Sequence, residues 1–150
     1  MIKYLLILTV VLTTALTVNA QTSPKPLATL NKYPWTENDL LAPEVLAADI
    51  KNGKTPLIYN IGVVEDIKGA RNIGAASHAE AIDKLKAEVV KLPKHTTLII
   101  YCGCCPFTRC PNAQPAFNTL KGLGFTNVKL LNLPENLKTN WISKGFPLAK

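Results

Sequence analysis

One segment constrains the fold more than any other: Thr96-Thr97-Leu98-Ile99-Ile100-Tyr101. It is β-branched, aliphatic and aromatic, with an unbroken apolar second half, the pattern of a strand buried on both faces. Such a strand needs a covering layer above and below. Two shorter apolar runs, residues 57–61 and 127–131, have the same character. Helical patterns alternate with them. Residues 43–50 predict a short helix, with Pro43 in a first turn that needs no N–H and Gly53 placed to end it. Ser77-His78-Ala79-Glu80 has the capping-box spacing, and Ile82, Leu85, Val89 and Leu92 follow on one stripe that Pro93 stops. Residues 111–123 put Phe117, Leu120 and Leu123 on one face ahead of Gly124, and residues 137–144 predict a last helix around Trp141, stopped by Gly145. Strands alternating with helices predict an α/β fold: a central, mostly parallel sheet with helices on both faces. In such sheets the functional loops leave the C-terminal ends of the strands.

The chain opens with a basic start, Met1-Ile2-Lys3, then an apolar run from Tyr4 to Val18 and the small residues Val18-Asn19-Ala20. This is the layout of a secretory signal peptide cut after Ala20. The expected organisation is therefore a signal peptide at 1–20, an N-terminal leader segment at 21–42 and one domain at 43–150. The remaining length fits a single core. Export to a bacterial periplasm is the expectation, with secretion as the other destination and no stable membrane span after cleavage. The net charge is +7, yet the lysines are scattered, with no basic run and no interleaved aromatics. That excludes a nucleic-acid-tracking surface and leaves a field favourable to a small anionic substrate.

All four cysteines lie in Cys102-Gly103-Cys104-Cys105-Pro106-Phe107-Thr108-Arg109-Cys110-Pro111, between the strongest strand and a helix. Thiolate is the reactive form of cysteine, and a helix N-terminus lowers a thiol's pKa. Arg109 supplies a planar cation that can grip an oxyanion with two hydrogen bonds. Cys102, Cys104 and Arg109 are the candidate catalytic residues. Gly103, Cys105, Phe107, Thr108 and Cys110 are candidates for substrate binding or for shaping the loop. Two other chemistries fit the same residues. Cys102 and Cys105 form a Cys-x-x-Cys suited to thiol–disulfide exchange or to a structural bridge, with pairing to Cys110 also open; the neighbours Cys104 and Cys105 would close only a strained ring. Alternatively, the cluster could take a soft ion, best a two- or three-coordinate Cu(I). No resident cofactor or metal is required by any motif, and none specifies a protein partner.

From about residue 43 to 147 the chain resembles a single rhodanese-like domain. Leu57-Ile58-Tyr59-Asn60-Ile61 is similar to that family's first core strand, and Ile67-Lys68-Gly69-Ala70-Arg71-Asn72-Ile73 to the segment after it. Leu98-Ile99-Ile100-Tyr101-Cys102 resembles the strand that ends on the catalytic cysteine. Leu123-Gly124-Phe125-Thr126-Asn127-Val128 and Trp141-Ile142-Ser143-Lys144-Gly145-Phe146-Pro147 are similar to its closing segments. The resemblance implies a sulfurtransferase: a loop cysteine takes sulfane sulfur from a small anionic donor such as thiosulfate, becomes a persulfide and passes the sulfur to a thiol or other nucleophile. Strand position points to Cys102 as that cysteine. The family's spacing, cysteine then four residues then arginine, points to Cys104. Asn60 stands where the family has an acidic residue, Gly62 where it has an arginine, and Leu133-Pro134-Glu135-Asn136 where it has paired glycines.

Overall fold

A computed structural model describes residues 32–54 and 56–150. The signal-peptide expectation falls on residues outside this range, as does the first half of the leader segment, residues 21–31. Among the described residues, no helix is long and apolar enough to cross a membrane.

The described chain runs β1 (Leu40–Leu41), α1 (Pro43–Lys51), β2 (Leu57–Asn60), β3 (Ala70–Asn72), α2 (Ala79–Val89), β4 (Leu98–Tyr101), α3 (Ala113–Gly122), β5 (Val128–Leu131) and α4 (Leu137–Asn140). Short 3-10 turns occur at Glu37–Asp39, Phe107–Arg109 and Ile142–Lys144. The strands form one five-stranded sheet in the order β1-β5-β4-β2-β3, and every neighbouring pair is parallel. β4 lies in the middle, with Ile99 opposite Ile58 on one side and Lys129 on the other.

Side-chain alternation in β4 divides the core in two. Leu98 and Ile100 face a layer built by α2 (Leu85, Val89) and α3 (Ala116, Phe117, Leu120). Ile99 and Tyr101 face the opposite layer, built by α1 (Leu46, Ala47, Ile50) with Leu137 and Trp141. Successive side chains of a strand point to opposite faces, so four apolar residues in a row require both layers. The expected parallel α/β architecture with helices on both faces is the one observed.

Several boundaries differ from the sequence expectations. The fold begins before Pro43: Leu40–Leu41 pairs with β5 and Trp35 is buried in the α2/α3 layer, so part of segment 21–42 belongs to the domain. A two-residue strand is too short to leave a periodic signal. β3 is likewise short and carries exposed polar residues. α2 starts at Ala79 with His78 at its N-cap and no side-chain cap; the Ser77 amide, which a capping box would offer to Glu80, is bound instead to Asn112 Oδ1 at 2.9 Å. The expected last helix breaks at Trp141 (φ −132°, ψ −61°), whose buried indole donates to the Pro147 carbonyl at 3.0 Å.

Tyr101 locks the segment after β2 against the central strand. Its hydroxyl accepts from the Ile67 amide at 2.9 Å and donates to the Glu65 carbonyl at 3.1 Å, and its burial pushes the phenol pKa up. Tyr101→Phe would leave the buried Ile67 N–H without its partner. The expected cost is about 1–3 kcal/mol, seen as a lower denaturant midpoint with an unchanged slope. A midpoint equal to that of the parent would contradict the role assigned to this hydroxyl.

Candidate functional site

The cysteine loop starts where β4 ends, so Cys102 inherits its position from the sheet. Gly103 then adopts a left-handed conformation (φ +76°), and a Cβ there would meet the Leu137 Cβ at 2.7 Å. Glycine is thus required for both conformation and space. Two backbone bonds hold the loop: the Leu137 amide donates to the Gly103 carbonyl at 2.8 Å, and the Phe107 amide to the Leu133 carbonyl at 3.3 Å. The loop tip is anchored by aromatics. The Phe107 ring lies 6.2 Å from Trp35, which stacks on Tyr33 at 5.2 Å and meets Phe117 edge-on at 5.8 Å. Phe107 and Thr108 also line an open groove of about 530 Å³ with Tyr33, Trp35 and Glu37.

Three sulfurs gather beneath this tip. Those of Cys102, Cys104 and Cys110 all lie within 4.8 Å of one another. Cys102 Sγ is 3.2 Å from Cys104 Sγ, which is 3.3 Å from Cys105 Sγ. Cys102 is only 4% exposed and Cys110 is buried, whereas Cys104 faces solvent and Cys105 is half-buried. All four cysteines are free thiols in this structure.

Hydrogen bonding divides their roles. The Cys102 pKa is pulled down to about 5, chiefly by the Cys110 thiol; burial opposes this, and the Asn112 side chain, the Cys104 amide and the Cys104 thiol reinforce it. Asn112 Nδ2 donates to Cys102 Sγ at 3.1 Å. Cys104 is pushed up to about 12, first by burial and then by its bonds to Cys102 and Cys105. Cys110 is also pushed up, first because its proton bridges to Cys102 and then by burial. The surroundings therefore favour the thiolate at Cys102 and the thiol at Cys104 and Cys110.

The helix after the loop acts differently from the expectation. α3 begins at Ala113 and not at Pro111: Pro111 and Asn112 form a turn closed by the Ala113 amide on the Cys110 carbonyl, and the first helical bond runs from the Ala116 amide to the Asn112 carbonyl. The Ala113 amide donates to the Cys110 carbonyl at 3.4 Å, and the amides of Asn112 and Ala113 only partly offset the rise of the Cys110 pKa. Asn112 reaches Cys102 with its side chain. Arg109 ends the 3-10 turn, is exposed and has no ion-pair partner among the described residues.

Two further residues complete the site. Asn112 was missed by sequence reading; its only signal is a buried-site amide placed just ahead of a helix. Asn60 is buried, accepts from the Gly62 amide at 3.0 Å and donates to the Val64 carbonyl and to Asp66, each at 2.8 Å. This turn brings Gly62 against the thiolate: a Cβ there would lie 2.6 Å from the Cys102 carbonyl oxygen and 2.8 Å from its sulfur. Gly62 and Asn60, departures from the resembled pattern, are thus joined in one device that seats Cys102. Cys102, Cys104 and Cys110 are also close enough to share one soft ion.

No family model matches the chain, and no curated protein matches it. Solved structures do. The Alr3790 protein from Anabaena sp. superposes with a TM-score of 0.52 at 20% identity, covering 73% of this chain and 90% of that one. A full-length protein from Lactobacillus plantarum gives 0.53 at 16% identity, covering 75% and 88%. Likeness at this identity speaks for the fold.

The depressed pKa of Cys102 has a signed consequence. Its contribution to stability is fully present above the ordinary thiol value of about 8.5 and is lost as pH falls through about 5. Thiolate ultraviolet absorbance of the reduced protein, minus that of Cys102→Ser, should titrate with a midpoint near 5. Asn112→Ala, which removes a donor to the thiolate, should move this midpoint up. A parent midpoint in the ordinary thiol range would contradict the assignment.

Proposed function

We propose that the chain is a rhodanese-like sulfurtransferase that carries sulfane sulfur as a persulfide on Cys102. The observation that carries this reading is the buried Cys102 sulfur at the C-terminal end of the central parallel strand, bonded by Asn112 and gathered with two further thiols, surroundings that pull its pKa down. The order of the family-like segments along the chain supports it, as does the parallel α/β fold shared with the solved structures.

In the donor half-reaction Cys102 Sγ attacks the outer sulfur of thiosulfate. A new S–S bond forms, the donor's S–S bond breaks, and sulfite leaves with the electron pair. In the acceptor half-reaction a nucleophile such as a thiolate takes the outer sulfur, and Cys102 leaves as the thiolate. The donors from Asn112, Cys110 and the Cys104 amide stabilise the anion before loading and after release. The 4% exposure of Cys102 suits a small donor better than a bulky one. Arg109, exposed at the loop's end, is the cation that would receive the donor's oxyanion.

Thiol–disulfide exchange is the second reading, favoured by the 3.2 Å approach of Cys102 and Cys104 sulfurs. Intact mass separates the two. Reduced protein quenched early after mixing with thiosulfate should have released sulfite and carry one added sulfur, about 32 mass units, and Cys102→Ser should do neither. Arg109→Lys should slow loading by about tenfold or more, the worth of a lost charge-assisted bond, while leaving the unfolding midpoint in place. If the reduced parent never takes up sulfur, the sulfurtransferase reading fails and disulfide exchange replaces it.

A further inference from the structure

We infer that Cys104 is a resolving thiol, which ends the persulfide on Cys102 by closing a Cys102–Cys104 disulfide and releasing the carried sulfur as hydrosulfide. This rests on the sulfurtransferase reading and assigns the fate of the sulfur.

The geometry for this step is already formed. Cys104 Sγ stands 3.2 Å from Cys102 Sγ, within reach for attack on the inner sulfur of a persulfide. The left-handed Gly103 between them turns both side chains into the same cluster. Cys110 is less suited, although its thiol also reaches Cys102. It is buried, its backbone is held by the Ala113 amide, and its sulfur makes no contact with Cys102 as close as the 3.2 Å of Cys104. Cys105 Sγ lies against Cys104 Sγ, so it sits behind the resolving thiol. Exposure follows the same division: Cys102 is buried and Cys104 is open to solvent. A disulfide between them would present its Cys104 sulfur to an incoming thiol.

The step balances. The persulfide anion of Cys102 and the Cys104 thiol give a Cys102–Cys104 disulfide and HS⁻. The Sγ–Sγ bond forms and the bond from Cys102 Sγ to the outer sulfur breaks. The outer sulfur departs with the electron pair and takes the Cys104 proton. That sulfur is reduced, and the two cysteine sulfurs together are oxidised. Return to the starting state needs two thiol equivalents, such as a dithiol reductant, to open the disulfide.

The experiment is a single turnover on the fully reduced chain, freed of reductant and given one equivalent of thiosulfate. Intact mass, released sulfide and peptide mapping are read together. The parent should release sulfide and finish about 2 mass units lighter, the two hydrogens lost on disulfide closure, with the new bond mapped to Cys102 and Cys104. Cys104→Ser should gain about 32 mass units and keep them, with sulfide release lost. Resolution by Cys104 is overturned if the parent holds a stable persulfide without sulfide, if Cys104→Ser releases sulfide as the parent does, or if the bridge maps to Cys110. In each of these cases sulfur loading still stands. If Cys104→Ser and the parent both fail to react with the donor, the sulfurtransferase reading falls and takes this inference with it.

Discussion

The site depends on keeping an anion almost out of water. A buried thiolate is costly unless hydrogen bonds replace the solvent it has lost. At Cys102 those bonds, and not a neighbouring cation, lead the causes of the low pKa. They come from separate parts of the chain: the Cys110 thiol, the Asn112 amide, and the backbone and thiol of Cys104. Each donor is itself held. Asn112 is fixed through the Ser77 amide, and Cys110 through its carbonyl, which accepts from the Ala113 amide. The loop's shape and the charge on Cys102 are therefore two descriptions of one arrangement.

The same need for close approach explains the glycines on either side of the sulfur. Gly62 and Gly103 both stand where a single methyl group would collide, one with Cys102 itself and the other with Leu137. Both arrive by way of the sheet: Gly62 follows β2, held by the buried Asn60, and Gly103 follows β4. Adjacent parallel strands end side by side, so the loops that leave them meet above the sheet edge. Tyr101, one residue before the thiolate, ties these two loops together from beneath through Ile67 and Glu65.

Much of this was legible in the sequence. The continuous apolar runs identified β2, β4 and β5, because a strand covered on both faces has no polar alternation to hide it. The stripes of Leu85 and Val89 and of Phe117 and Leu120 identified the covering helices. β1 and β3 are too short for a period to register. The Ser77 capping pattern misled because tertiary bonding had claimed its amide for Asn112. The choice between Cys102 and Cys104 was open on spacing alone; what distinguishes them is the burial of Cys102 and the Asn112 side chain that donates to its sulfur, neither of which linear order encodes. Asn112 was hidden for the same reason: it sits next to the cysteine loop in sequence, but its meaning comes from Ser77 on one side and Cys102 on the other.

The aromatic anchor of the loop tip has a consequence for biogenesis. Trp35, which holds Phe107, sits just ahead of β1, and β1 has a place in the sheet only beside β5, near the other end of the chain. As a ribosome delivers the chain from its N-terminus, the four thiols emerge before the strand that lets Trp35 settle over them. Pairing this remote is also slow to form. For that interval the cysteines are an unsheltered cluster, open to mispairing or to capture by passing oxidants. Maturation of the site is thus tied to synthesis of β5, the partner without which β1 and the anchoring Trp35 have no place in the sheet.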